Sequence, residues 1–142
     1  MSALKKSFYI KGRDFTHAGK ASITVQQMLK QLGIATDIVR RAAVCGYEGE
    51  MNVVMHGGDG SFCIAIASDW ILLEISDNGP GIADIGQAME KGFSTALDEY
   101  REMGFGAGMG LSNIERNADY MEIESTPGKG TRVEMLFQIP EA

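Results

Sequence analysis

The sequence predicts an α+β fold, a two-layer α/β sandwich with helices on one face of a mostly antiparallel sheet. Three observations lead there. The N-terminal half holds two runs with apolar residues at three- and four-residue steps. Two short β-branched and aromatic runs follow at residues 61–67 and 70–76. The tail alternates apolar and polar residues on both sides of a Thr-Pro-Gly-Lys-Gly turn. A chain of 142 residues, 44% of them hydrophobic, suits one domain over residues 1–142 with a core of its own.

A short apolar run over residues 6–11 reads as an opening strand, and residues 12–17 turn. Over residues 18–32, Ala21, Val25, Met28, Leu29 and Leu32 mark an amphipathic helix, which Gly33 ends. A second helix starts at Thr36 or Asp37, either of which can cap it, and runs to His56, where Gly57 and Gly58 stop it. Its apolar stripe is Val44, Tyr47, Met51 and Val54 or Met55, while Glu48, Asn52 and His56 stack on a neighbouring face at four-residue spacing. Residues 61–67 and 70–76 form a hairpin around Ser68 and Asp69. The second run, Trp-Ile-Leu-Leu-Glu-Ile, is nearly continuous in apolar residues and belongs at the centre of a covered sheet, with Asp77 where it ends.

Residues 84–91 suit a short helix. Residues 92–110 show little periodicity and carry glycines at 92, 104, 106, 108 and 110; a connection of that length is often a lid or binding loop. A helix resumes over residues 111–118. The chain then closes as an antiparallel hairpin, with Met121 and Ile123 alternating with Glu122 and Glu124, and Val133, Met135, Phe137 and Ile139 with Glu134 and Gln138.

A net charge of −6 removes the electrostatic footprint of a nucleic-acid or anionic-membrane binder. The N-terminus lacks the apolar core of a signal peptide, and no stretch reaches the roughly 18 apolar residues of a membrane span. A cytoplasmic protein with neither nucleic-acid nor membrane partner is expected. Cys45 and Cys63 have no CxxC spacing and no nearby His pair, and read as two reduced, apolar-lined thiols outside any metal site or disulfide.

Three segments carry chemistry. In residues 48–52, Glu-Gly-Glu-Met-Asn, a carboxylate and an amide lie one helical turn apart. The Asn52 oxygen is a hard ligand suited to Mg²⁺, and Glu48 can orient or deprotonate an attacking hydroxyl or water. Alone, the pair also reads as a solvated helix face. In residues 77–81, Asp-Asn-Gly-Pro-Gly, an aspartate at the end of a buried strand precedes glycines that let backbone approach a flat ligand, so Asp77 can accept from an exocyclic amine such as that of adenine. The same segment also reads as a plain turn with Asp77 as an Asx cap. Residues 104–110, Gly-Phe-Gly-Ala-Gly-Met-Gly, are not a dinucleotide fingerprint, because no strand precedes them and no ribose-binding acid follows. Backbone N–H groups at the start of the following helix can still bind phosphate.

In this order, and closed by Gly128-Lys-Gly-Thr131, the segments resemble the Bergerat-type ATP site of the GHKL superfamily of gyrase, HSP90, histidine kinase and MutL ATPase domains. The resemblance spans about residues 8–139, with residues 48–52 as the N box, 77–81 as the DxGxG box and 106–111 as the GxGxGL box. It implies a Bergerat fold and ATP with Mg²⁺ as ligands. Glu48 would be the catalytic base and Asn52 the metal ligand. Asp77, Gly79, Gly81, Gly106, Gly108, Met109, Gly110, Leu111 and Thr131 would lie at the nucleotide, with Thr131 helping to hold adenine. Within the superfamily the chain is most similar to the anti-sigma-factor serine/threonine kinases of bacterial stress and sporulation signalling.

That similarity implies phosphorylation of a serine or threonine on a small STAS-domain partner, binding of a sigma factor, or both, and leaves homodimerisation open. The alternative is a nucleotide-gated module that masks a sigma factor without phosphotransfer; Glu48 separates the two, since a pure binder needs no base beside the metal ligand. Histidine autokinase activity is not expected, because His17 lies outside the phosphoacceptor pattern of histidine kinases. Arg101 in the lid is the candidate for a phosphate-contacting cation and also fits a solvated surface arginine. His56 is read as a helix-terminal structural residue.

Overall fold

The computed structural model describes residues 3–56, 58–82, 89 and 110–141. The chain runs β1 (Leu4–Ile10), α1 (Lys20–Gln31), α2 (Thr36–His56), β2 (Gly60–Ile66), β3 (Trp70–Asp77), α3 (Gly110–Asn117), β4 (Tyr120–Thr126) and β5 (Gly130–Gln138). The strands form one sheet in the order β1-β2-β3-β5-β4, and every pairing among the described residues is antiparallel. The last strand thus lies between β3 and β4, joining two hairpins into one surface. The short helix expected over residues 84–91 and the lid over 92–110 lie, but for Met89 and Gly110, outside the described residues.

One face of the sheet is covered. Phe62 and Ile64 of β2, Ile71, Leu73 and Ile75 of β3, and Val133, Met135 and Phe137 of β5 alternate along their strands and are buried with Val25, Leu29, Ile38, Val39, Ala42, Cys45, Val53 and Val54 of the helices. The opposite face is polar at its centre, where Arg132 bridges Glu74 at 3.3 Å, Glu124 at 3.0 Å and Glu134. β3 is the middle strand, as its near-continuous apolar run predicted.

α1 ends as read. Gly33 donates to the Lys30 carbonyl and Ile34 to the Leu29 carbonyl, the paired bonds of a Schellman motif. Leu32 is the C-cap residue and is 52% exposed, so it lies outside the buried face. The stripe expected on α2 is corrected: Val44 is only half-buried and Tyr47 is exposed, while Ile38, Val39, Ala42, Cys45, Val53 and Val54 are buried. The reason is that α2 touches α1 on one side, α3 on another and the sheet beneath, so it buries a broader arc than one stripe. Gly46 lets it lie close to the sheet: a Cβ there would sit 3.0 Å from the Phe62 ring.

The start of α1 is capped from outside its own sequence. No side chain at Gly19 caps it; instead the buried Glu50 carboxylate of α2 accepts from the backbone N–H groups of Gly19 (3.0 Å), Ala21 (3.4 Å) and Ser22 (2.9 Å), and from the Ser22 hydroxyl at 2.6 Å. Arg41 ties the far end of α3 to α2 by donating to the Asn117 carbonyl at 2.9 Å. Both cysteines are free thiols, as expected. Burial pushes the Cys45 thiol up to about 12, whereas Cys63 lies on the opposite face of the sheet and accepts from the Ser7 hydroxyl at 3.3 Å, so its lining is polar rather than apolar. Among the described residues no helix is long and apolar enough to cross a membrane.

Candidate functional site

Glu48, Asn52 and His56 lie along one face of α2, and about 12 Å of helix separates the first from the last. All three are half-buried. α3 begins against the upper pair: a Cβ placed on Gly110 would sit 3.0 Å from Glu48 Oε2, 3.4 Å from Asn52 Oδ1 and 3.5 Å from Asn52 Nδ2. Glycine at the first position therefore lets the helix start directly over the carboxylate and the amide, and Leu111 and Ile114, both buried, anchor it there. The first N–H groups of α3 and the positive end of its dipole are thus close to Glu48 and Asn52, a setting that favours an anion. Burial holds the Glu48 carboxyl above the ordinary carboxylate range.

At the other end of this face, burial keeps the His56 imidazole below its usual pKa, partly offset by the charge of Asp77 nearby and reinforced by Arg13. His56 is the last residue of α2.

Asp77 is the last residue of β3, opposite Gly60 on β2 and Thr131 on β5. Its Oδ1 accepts from the Gly79 N–H at 2.8 Å, an Asx turn. The turn reading and the ligand reading are therefore compatible, since the turn uses one oxygen of the carboxylate. The backbone is packed against its neighbours on both sides. A Cβ on Gly58 would run into the backbone of Gly79, and Gly81 adopts φ +76° where a Cβ would run into the Thr126 carbonyl, a position that only glycine fills without strain. Gly130, at φ +133°, approaches the Asp77 carbonyl just as closely. Hydrogen bonds fix the same arrangement: Gly128 N–H donates to the Pro80 carbonyl at 2.7 Å, Ile82 N–H to Ser125 Oγ at 2.7 Å, and Ser125 and Thr131 share a hydrogen bond of 2.8 Å.

The structure thus brings Glu48, Asn52, Gly110 and Leu111 together at one end and Asp77, Gly79, Gly81 and Thr131 at the other. Arg101, Gly106, Gly108 and Met109 lie outside the described residues. Sequence reasoning missed Ser125 and Glu50. Ser125 could have been found by counting the hairpin register back from the Pro127 turn, which sets it opposite Thr131; nothing local marks Glu50 as the cap of another helix.

Residues 39–141 match the family described as the histidine kinase-, DNA gyrase B-, and HSP90-like ATPases. The chain belongs to this family. Its relatives within this ATPase family include the anti-sigma F factor of Thermoanaerobacter sp. (strain X514), 32% identical over 122 residues that cover 86% of this chain and 78% of that protein. The serine/threonine-protein kinase RsbT of Bacillus subtilis (strain 168) is 30% identical over 115 residues, covering 78% and 80%. The anti-sigma F factor of Clostridium botulinum (strain Eklund 17B / Type B) is 32% identical over 121 residues, covering 81% of each. Within the family the chain is thus similar to anti-sigma F factors and to a serine/threonine-protein kinase, and its antiparallel five-stranded sheet with helices is consistent with the family's fold.

Proposed function

We propose that the chain is a cytoplasmic, single-domain serine/threonine protein kinase that transfers the γ-phosphoryl group of ATP to a STAS-domain partner and so regulates a sigma factor. The observation that carries this reading is the meeting of the Glu48 carboxylate and the Asn52 amide under the first residue of α3. In that arrangement Glu48 takes the proton of the partner's serine or threonine hydroxyl as its oxygen bonds to the γ-phosphorus and the bond to the ADP oxygen breaks. Burial suits Glu48 to the role, because a raised pKa makes the carboxylate a stronger base. Asn52 would hold Mg²⁺ through its amide oxygen, and the ion would supply positive charge beside the phosphates. The amides at the start of α3 bind phosphate, with Gly106, Gly108 and Met109 assigned to the same end by the glycine motif and Arg101 as the candidate phosphate-contacting cation by its place in the lid sequence. Asp77 accepts from the adenine amine beside Thr131, over the backbone of Gly79 and Gly81.

A second reading, a nucleotide-gated binder that sequesters a sigma factor without phosphotransfer, draws on the relatives named anti-sigma F factor. Incubation of the protein with ATP, Mg²⁺ and a STAS-domain protein encoded beside it separates the two. A phosphate found on a serine or threonine by mass spectrometry, and lost with Glu48→Gln, supports the kinase. An unmodified partner with intact, nucleotide-dependent sigma-factor binding supports the binder.

A further inference from the structure

We propose that the outer edge of β1 is a docking site for an acidic, extended segment of another protein, which adds to the sheet as a further strand.

β1 ends the strand order, and among the described residues it pairs with β2 alone. Its other side therefore presents a row of backbone N–H and C=O groups, the template on which a strand can form. Of the residues Leu4–Ile10 only Phe8 and Ile10 are not exposed. Proteins guard such an edge with charge, and here the guards are Lys5 and Lys6. Lysines repel a basic strand, β1 of a second copy included, and leave the edge open to an acidic one.

The charge continues past the strand. Residues 1–20 hold five of the 13 Lys and Arg of the chain and one of its 19 Asp and Glu, so this edge is basic in a protein of net charge −6. The carboxylates nearby already serve other donors: Asp14 pairs with His17 at 2.8 Å, Asp59 accepts from the Gly12 N–H at 3.0 Å, and Glu50 caps α1.

Side chains of an added strand alternate between the two faces of the sheet. On the helix side a cavity of about 280 Å³ lies beside β1, lined by Phe8, Ile10, Ala21 and Val54 together with Lys11 and Lys20. On the open side Lys5 shares the face of Ser7 and Tyr9, and Tyr9 is 71% exposed. The segment that fits alternates apolar residues, facing the cavity, with acidic ones, meeting Lys5. Main-chain hydrogen bonds supply affinity and the alternate side chains supply selection. A nucleic acid would meet the same lysines but has no peptide backbone for the edge and no apolar side chain for the cavity. Glu50 lines this cavity whereas Glu48 lies against α3, so α2 stands between the docking site and the chemistry proposed above.

The test is fluorescence anisotropy of a labelled peptide of Glu alternating with Val, added to the whole protein. The peptide is expected to bind, and a version with Lys in place of Glu to bind at least about tenfold more weakly. Two further peptides carry N-methyl groups on the Glu amides or on the Val amides, which point to opposite edges of an extended strand. One is expected to bind and the other to lose about tenfold or more, because strand addition uses a single edge. Lys5→Glu combined with Lys6→Glu, both at exposed positions, is expected to weaken the Glu–Val peptide by about tenfold or more. Absence of binding, equal effects of the two N-methyl sets, or unchanged affinity in the double variant overturns the proposal. Displacement of the peptide by ATP with Mg²⁺ overturns it too, by placing the peptide at the nucleotide site. So does tighter binding of a single-stranded oligonucleotide of equal charge. Sedimentation showing self-association that the double variant abolishes also overturns it, and gives the edge to a second copy, whose β4 carries Glu122 and Glu124.

Discussion

The Ser22 hydroxyl donates to the Glu50 carboxylate at 2.6 Å, and both residues are buried, at 5% and 3% exposure. Two helices are joined by this contact, since Glu50 belongs to α2 and the donors around it belong to the start of α1. Glu50→Ala leaves those donors without an acceptor and is expected to cost about 2–4 kcal/mol in urea unfolding. Glu50→Gln sets an amide NH₂ against backbone N–H groups and is expected to recover less than half of that loss.

Glu48→Gln is expected to keep nucleotide affinity and lower phosphotransfer by about 10²–10⁴-fold. The same variant has a stability signature. The Glu48 pKa is raised in the folded state, so between the ordinary carboxylate range and the raised value the native protein binds more protons than the unfolded chain, and stability falls as pH rises through that window. At neutral pH Glu48→Gln is therefore expected to melt at a higher temperature than wild type, and melts recorded as a function of pH check this directly. Asn52→Ala is expected to lose the Mg²⁺-dependent part of ATP affinity as well as the rate.

Gly110→Ala puts a methyl group 3.0 Å from Glu48 Oε2 and 3.4 Å from Asn52 Oδ1. Alanine is the better helix former by about 1 kcal/mol, so stability is expected to hold or rise while phosphotransfer falls by about tenfold or more. Parallel loss of stability and rate would count against placing the chemistry at the start of α3.

Asp77→Asn retains an oxygen for the Gly79 N–H, so the Asx turn and the fold are expected to survive, while ATP affinity drops at least about tenfold because an NH₂ replaces the second acceptor. Equal ATP affinity in calorimetry would remove Asp77 from the base contact.

What was legible in the sequence was local. Short β-branched and aromatic runs marked the first hairpin and alternation the second, Gly33 marked the end of α1, and the spacing of Glu48 and Asn52 set both on one face of α2 because helix periodicity alone requires it. The placing of β5 between β3 and β4 carries no local signature, since strand order depends on which edges meet in three dimensions. The Glu50 cap acts across 28 residues from Ser22, with no periodic pattern connecting the two. The breadth of the buried face of α2 escaped for the same reason: Ala42, Cys45 and Gly46 are buried by neighbouring elements that no stripe on α2 can announce.

The position of β5 has a consequence for the order in which the molecule can come together. The β2–β3 and β4–β5 hairpins join near neighbours in the chain and can each form early, whereas the β3–β5 junction brings residue 77 to residue 131 and must wait for a large loop to close. Asp77 lies on one side of that junction and Thr131 with Ser125 on the other. Asp77 and Thr131 therefore meet only through a long-range pairing, and a ligand that spans them would act as a clasp on that seam of the sheet, holding closed two hairpins that are each local in the chain.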